Sequence, residues 1–268
     1  MRAGRHRGWF RVCAFLVKPF LWTCTRPTWR GLDNIPREGG VIVVANHVTI
    51  VDPLTLAHAI YDGARRTPSF LAKSELFKLP VIGTLLRKAG QIPVYRRTRD
   101  AVNSLRDAEA AVADGECVII YPEGTCTRDP DGWPMLAKTG VARLVLASDV
   151  PVIPMASWGT QRILRYGSKR PHPFPPKRVL AVAGPPVDLS AYRAVEPTNE
   201  VLREITDLLM TRVTGLLAEL RDETPPSTFY EAKPTPKPTS EPTSESSSDS
   251  RSDAAAEPAA EPTGTSAA

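Results

Sequence analysis

The chain has 268 residues with 34 Lys/Arg and 29 Asp/Glu, a net charge of +5, which is length enough for one sizeable domain and a tail. The charge is uneven: from Asp222 onward there are three basic and nine acidic residues, a net −6, so residues 1–221 carry +11. A body of that sign is drawn to a phospholipid surface, a phosphorylated substrate or nucleic acid. Nucleic acid is the weakest of the three and no such partner is expected, because the core has no basic stripe with interleaved aromatics and no finger-like signature. The cysteines, Cys13, Cys24, Cys117 and Cys126, form no Cys-x-x-Cys pair. That argues against a structural zinc and for a reducing, cytosolic-side location.

The first segment, residues 1–30, has seven Lys/Arg and no acidic residue, with Trp9, Phe10, Phe15, Leu16, Phe20 and Trp22 among them. Arg11 and Lys18 interrupt the apolar run, which is too short to span a bilayer, a task that takes about 20 residues. No small-residue cleavage site follows, so a signal peptide is not the reading. A basic, Trp-flanked amphipathic helix lying in the membrane interface is expected, with Pro19 kinking or ending it. Packing of the same helix on the domain surface is the alternative, and the two are compatible if each face does one job.

Between residues 31 and 221 short β-branched runs alternate with helical patterns. Residues 39–46 read as a buried strand, and Pro53 opens a helix to about residue 62. Strands follow at 69–73 and 91–95, with a helix over 80–89 closed by Gly90 between them. A helix over 99–114 precedes a strand at 116–121. A helix over 138–148 is followed by strands at 151–156 and 178–183. Apolar residues at helical spacing from Val201 to Leu220 form a final amphipathic helix. This alternation predicts an α/β fold: a mixed, mostly parallel sheet flanked by helices. Such sheets bind ligands at the carboxyl ends of their strands. His47 and Glu123 each follow a predicted strand, so both are expected on one rim. From residue 222 to 268 the chain is rich in Pro, Ser, Thr, Glu and Ala and is expected to be a disordered tail.

His47 is suited to take a proton from an alcohol, and works better with a carboxylate on its other nitrogen. Asp52, five residues on, is placed to fold back onto it. Alone, the pair reads equally as a turn histidine and an aspartate capping the next helix. Other runs occur with it in order: Asn-His-x-x-x-x-Asp-Pro at 46–53, Gly-x-Ile-x-x-x-Arg at 90–96, Pro-Glu-Gly-Thr at 122–125 and Val-Pro-Val-Ile-Pro at 150–154. Together, over roughly residues 30–190, they resemble the 1-acylglycerol-3-phosphate (lysophosphatidate) acyltransferases among the glycerophospholipid acyltransferases.

The resemblance implies that His47 deprotonates the acceptor hydroxyl with Asp52 as its partner. It also implies that Asn46, Arg96, Glu123, Gly124, Thr125 and Lys138 serve substrate binding, and that residues 150–154 line the acyl-donor side. Arg96 and Lys138 would hold the acceptor phosphate, a natural task for a guanidinium and an ammonium. Family members usually carry Arg after Glu-Gly-Thr; here the residue is Cys126, and Arg128 is the nearest substitute. Cys126 itself is set aside as a nucleophile, because no sequence neighbour would lower its pKa.

The expected partners are a membrane surface on its cytoplasmic face, a lysophospholipid acceptor, and acyl-CoA or acyl-carrier protein as co-substrate. The product would be phosphatidate, and no metal or other cofactor is called for. Rivals are an acyltransferase for a different lipid acceptor and a non-catalytic membrane-binding relative. A serine hydrolase lacks its Gly-x-Ser-x-Gly elbow.

Overall fold

The computed structural model describes residues 3–95 and 101–232. Its seven strands form one sheet in the order β1-β7-β6-β2-β5-β3-β4. These are β1 (Thr25–Arg30), β2 (Val41–Ala45), β3 (Pro68–Lys73), β4 (Ile92–Val94), β5 (Cys117–Ile120), β6 (Val152–Trp158) and β7 (Lys177–Ala183). Every pairing is parallel except β6 with β7. The helices are α1 (Ala3–Cys24), α2 (Asp52–His58), α3 (Pro80–Lys88), α4 (Ala101–Ala113), α5 (Gly140–Leu146) and α6 (Asn199–Arg221). The mixed, mostly parallel α/β sheet expected from the alternation is the fold observed.

Strand β2 explains why the sheet is covered on both faces. All five of its residues, Val-Ile-Val-Val-Ala, are buried. Ile42 and Val44 pack with Val118, Ile120, Leu144, Leu202, Ile205 and Leu209. Val41, Val43 and Ala45 point the other way, into Leu56, Ile60 and Phe70. The two-residue side-chain period sends alternate residues to opposite layers, and each fully buried Val or Ile contributes about 1.5–3 kcal/mol. Helix α6 is capped by Thr198, whose side chain accepts from the N–H of Val201, and it buries Leu202, Ile205, Leu209, Val213 and Leu217.

Three features depart from the sequence expectations. Helix α1 continues past Pro19 to Cys24. A proline removes one backbone donor, and here Leu21 and Cys24 beyond it are buried, which holds the last turns in place. Next, Thr25–Arg30 is not part of the N-terminal segment but strand β1, paired along its length with β7. Its Thr-Arg-Pro-Thr-Trp-Arg sequence suits an edge, where a proline sacrifices no ladder bond and charge blunts further pairing. Finally, residues 222–232 are not loose: Tyr230 bridges to Met135, with the Leu136 N–H donating to the Tyr230 carbonyl at 3.0 Å. The tail beyond, residues 233–268, lies outside the described residues.

Helix α1 uses both of its faces. Phe10 lies 5.0 Å ring to ring from Tyr61, and Lys18 pairs with Asp62 at 2.9 Å. The opposite side leaves Phe15 77%, Leu16 63% and Trp22 62% exposed. Among the described residues no helix is long and apolar enough to cross a membrane.

Candidate active site

The strand order puts β6, β2 and β5 side by side and parallel. Their carboxyl ends therefore open on one rim, where a parallel sheet presents its ligand site. His47 follows the end of β2, the run 121–125 follows β5, and Thr160 follows β6.

Asp52 does not cap the helix that begins beside it. It is the first residue of α2 and is fully buried, and its carboxylate turns back toward the preceding turn. Its Oδ2 accepts from His47 Nδ1 at 3.0 Å, from the Val48 N–H at 2.5 Å and from the Thr49 N–H at 2.8 Å. Its Oδ1 accepts from the Thr160 hydroxyl. A carboxylate only accepts, so the neutral His47 ring that faces it holds its proton on Nδ1. The lone pair of Nε2 is then left as the basic atom. His47 keeps 14% of its side chain exposed, against none for Asp52. That is the arrangement of a proton acceptor oriented by a carboxylate.

The 121–127 loop grips His47 by its main chain. Glu123 Oε1 accepts from the His47 N–H at 2.9 Å, and the Thr127 N–H donates to the His47 carbonyl at 2.6 Å. Glu123 Oε2 accepts from the Met135 N–H at 3.0 Å. The Glu123 side chain is 3% exposed, and burial pushes its pKa up to about 8 against the pull of those two N–H donors. Both of its oxygens are engaged inside the protein, so it braces His47 and the 133–138 loop.

Asn46 is buried too and clamps two strands. Its Oδ1 accepts from the Ser157 N–H at 2.8 Å, and its Nδ2 donates to the Ser157 carbonyl at 3.1 Å. It fixes the end of β2 against β6 one residue before His47. Gly124 has φ +70°, which favours glycine, and a Cβ there would sit 3.1 Å from Nζ of Lys138. The Lys138 ammonium therefore lies over the Glu-Gly-Thr turn. Thr125 is half-buried on that turn, and Arg128, also half-buried, follows it with its N–H on Met135 Sδ at 3.1 Å. Arg96 lies outside the described residues.

Residues 150–154 do not reach this rim. Val150 neighbours Gly40 at the opposite end of the sheet, and Val152 and Ile153 are buried within it. A strand that enters the core from its amino end buries these side chains between helix layers, so they cannot line a site at its carboxyl end.

Three residues join the site that the sequence reading did not place there. Thr160 supplies a donor to Asp52 from 108 residues away. Tyr121 stacks on the His47 ring with centroids 4.3 Å apart, and its hydroxyl is buried without a hydrogen-bond partner. Burial first, then the charges of Asp52 and Cys126, hold that phenol well above its ordinary pKa, so it stays protonated. Cys126, set aside for want of an activating neighbour, has its Sγ 3.5 Å from His47 Nε2. Tyr121 and Cys126 both flank the Pro-Glu-Gly-Thr run, which was the available signal. Thr160 had none.

The chain matches the acyltransferase family model over residues 26–158. An uncharacterized protein of Mycobacterium tuberculosis is 31% identical over 157 residues, covering 55% of this chain and 41% of its own length. The chain thus spans about two fifths of the first curated relatives it matches. A 1-acyl-sn-glycerol-3-phosphate acyltransferase of Bacillus subtilis is 26% identical over 77% of this chain and 96% of that protein. The crystal structure of the 1-acyl-sn-glycerophosphate acyltransferase of Thermotoga maritima superposes with a TM-score of 0.59 at 27% identity, over 79% of each chain. With the His47–Asp52 pair on the rim of this sheet, residues 26–158 are an acyltransferase-family domain, and the chain is similar to the 1-acyl-sn-glycerol-3-phosphate acyltransferases.

Proposed function

We propose that the chain transfers an acyl group from a thioester, acyl-CoA or acyl-carrier protein, to the free hydroxyl of 1-acylglycerol-3-phosphate, forming phosphatidate. The observation that carries this reading is the orientation of His47. Its Nδ1–H donates to Asp52, so Nε2 is left as the basic atom facing the rim, which is what deprotonating an alcohol requires. The activity in the names of the B. subtilis and T. maritima relatives supports it. In this reading Lys138, above the Glu-Gly-Thr turn, meets the acceptor phosphate, and Arg96 and Arg128 serve the same role.

The lipid acceptor and product call for work at a membrane surface. The exposed apolar side of α1 suits that, and so does α3, which packs on it and leaves Val81 70% exposed. A peripheral position on the cytoplasmic face is part of this reading.

The test is an acceptor panel. Purified full chain on vesicles is given one acyl-CoA and a set of lysophospholipids, with lysophosphatidate expected to turn over fastest. His47→Ala is expected to lower transfer by about 100-fold or more. Near-normal activity in that variant refutes the role of His47. A preference for another lysophospholipid moves the acceptor assignment, an outcome that Cys126 in the position after Glu-Gly-Thr makes worth measuring.

A further inference from the structure

The chain between β6 and β7 leaves from the same rim that holds His47. Residues 161–178 carry six Lys/Arg (Arg162, Arg165, Lys169, Arg170, Lys177 and Arg178), and no acidic residue occurs from 150 to 187. Among the described residues none of the six pairs with a carboxylate, and all but Lys177 are exposed. Two large aromatics stand among them, Phe174 64% and Tyr166 48% exposed. The segment has a fixed shape. The His172 N–H donates to the Ile163 carbonyl at 2.7 Å, the Ser168 N–H to the Arg165 carbonyl at 3.0 Å, and the Arg170 N–H to the Ser168 hydroxyl at 3.1 Å. Pro171, Pro173, Pro175 and Pro176 restrict φ through its second half.

The root of this arm is part of the active-site wall. Thr160, immediately before it, donates to Asp52. Ile163 is buried together with Val51, the neighbour of Asp52, and with Val179. The far end of the arm runs beside α1. Strand β1 begins where α1 stops, and Thr25 pairs with Lys177 and Arg26 with Arg178. Because β7 is antiparallel to β6, this start of β7 lies at the carboxyl end of β6. The last turns of α1, with Phe20 and Trp22 exposed, therefore end at the same side of the sheet as the arm and the site.

We propose that the 161–178 arm is a docking surface for anionic phospholipid headgroups, and that it and α1 hold the His47 rim against the membrane between them. The proposal rests on the membrane reading above and deepens it by naming the surface that senses lipid charge. Each Lys or Arg near an anionic leaflet strengthens binding by about fivefold through the surface potential, and aromatic rings settle at the headgroup level. A soluble donor would call for a cleft with a few convergent polar groups. Here the cations and rings are spaced along an exposed, proline-stiffened arm beside the end of α1, which suits an extended charged surface.

Docking through this arm has a consequence at the site. The residues at its root, Thr160 and Ile163, hold Asp52 and Val51, so the surface that meets the headgroups is continuous in the chain with the residues that orient the base. A lipid acceptor then reaches His47 from the leaflet that the arm is bound to.

The experiment measures co-sedimentation of the full chain with vesicles of phosphatidylcholine alone or mixed with phosphatidylglycerol, without acyl donor. Wild type should bind the mixed vesicles more tightly. The combined substitution Arg165→Gln, Lys169→Gln and Arg170→Gln should weaken that binding by at least about tenfold and make it less sensitive to salt. Its binding to phosphatidylcholine alone should stay close to wild type. Arg165→Lys with Arg170→Lys keeps the charge and should bind mixed vesicles as wild type does. Thermal unfolding matched to wild type shows that the variants fold. The proposal is overturned if the Gln variant binds mixed vesicles like wild type, if it loses binding equally on both vesicle types, or if the charge-keeping variant is as weak as the Gln variant. It is also overturned if vesicle binding holds while KM for acyl-CoA or acyl-carrier protein rises, which would make the arm a donor contact. The binding measurement needs no turnover. A chain that docks through the arm but acylates no lysophospholipid overturns only the acyl-transfer reading, and one that transfers acyl groups but docks without the arm overturns only this proposal.

Discussion

Glu123 holds His47 by its peptide N–H at 2.9 Å, while the imidazole of His47 is held separately by Asp52 at 3.0 Å. Two buried carboxyls therefore divide one histidine between them. One fixes where its backbone sits, and the other fixes which ring nitrogen is basic. The first carboxyl belongs to the loop after β5 and the second to the start of α2. The pairing of β2 with β5 brings them together.

The bracing role of Glu123 predicts an unusual response to pH. Its folded pKa of about 8 lies above the ordinary carboxyl value of 4.5. The folded state therefore keeps a proton that the unfolded chain releases. The stabilisation from this group is complete below the unfolded value and is lost as pH rises toward about 8. Glu123→Gln removes the titration. It also turns an amide N–H₂ toward either the His47 or the Met135 N–H, and leaving a buried donor unmet costs about 1–3 kcal/mol. Chemical denaturation across that pH interval should show wild type more stable than Glu123→Gln at the acid end, with the gap narrowing toward pH 8. A gap that widens instead would contradict the raised pKa.

The second prediction concerns Asp52 and Thr160. Asp52→Ala strands the donors of His47 Nδ1, Val48, Thr49 and Thr160 in a buried site. It should both unfold more easily and lose activity, so it cannot separate the two roles. Thr160→Val keeps shape and removes one donor. The net loss should be about 1 kcal/mol of stability and about tenfold in kcat, equivalent to 1.4 kcal/mol, with little change in KM. Thr160→Ser restores the hydroxyl and should restore kcat. A Thr160→Ser as slow as Thr160→Val would mean that packing, not the bond to Asp52, is what matters.

The difference between Asp52 and Thr160 also explains what could be read from the chain. Asp52 is five residues from His47, inside a turn that ends a β-branched run, so strand, turn and helix signals placed it. Thr160 belongs to Trp-Gly-Thr, which carries no chemical signature, and it reaches Asp52 only because β6 lies beside β2. Cys126 met the same obstacle: sequence neighbours say nothing of a histidine 79 residues away. Residues 150–154 failed for the opposite reason. The motif was real, but a parallel strand's first residues sit at the end of the sheet away from the site. Strand β1 was hidden because an edge strand has no need of the apolar alternation that marks an interior one.

The third prediction tests the outer side of α1. Phe15, Leu16 and Trp22 are exposed, while Phe10, Leu21 and Cys24 on the inner side are buried. Large apolar side chains each gain up to about 1.5–3 kcal/mol on leaving water. Partial immersion of three should far exceed the 1.4 kcal/mol that corresponds to tenfold in binding. The combined substitution Phe15→Ser, Leu16→Ser and Trp22→Ser should therefore weaken partition onto anionic vesicles by more than about tenfold. It should leave thermal unfolding in solution close to wild type, because the altered residues are not part of the core. Activity should fall on vesicle-borne lysophosphatidate and be largely spared on the same acceptor below its aggregation threshold. High salt should weaken the wild type's binding only in part, since screening acts on the basic residues and not on the aromatic ones. Vesicle binding unchanged by the triple substitution would place the membrane contact elsewhere on the molecule.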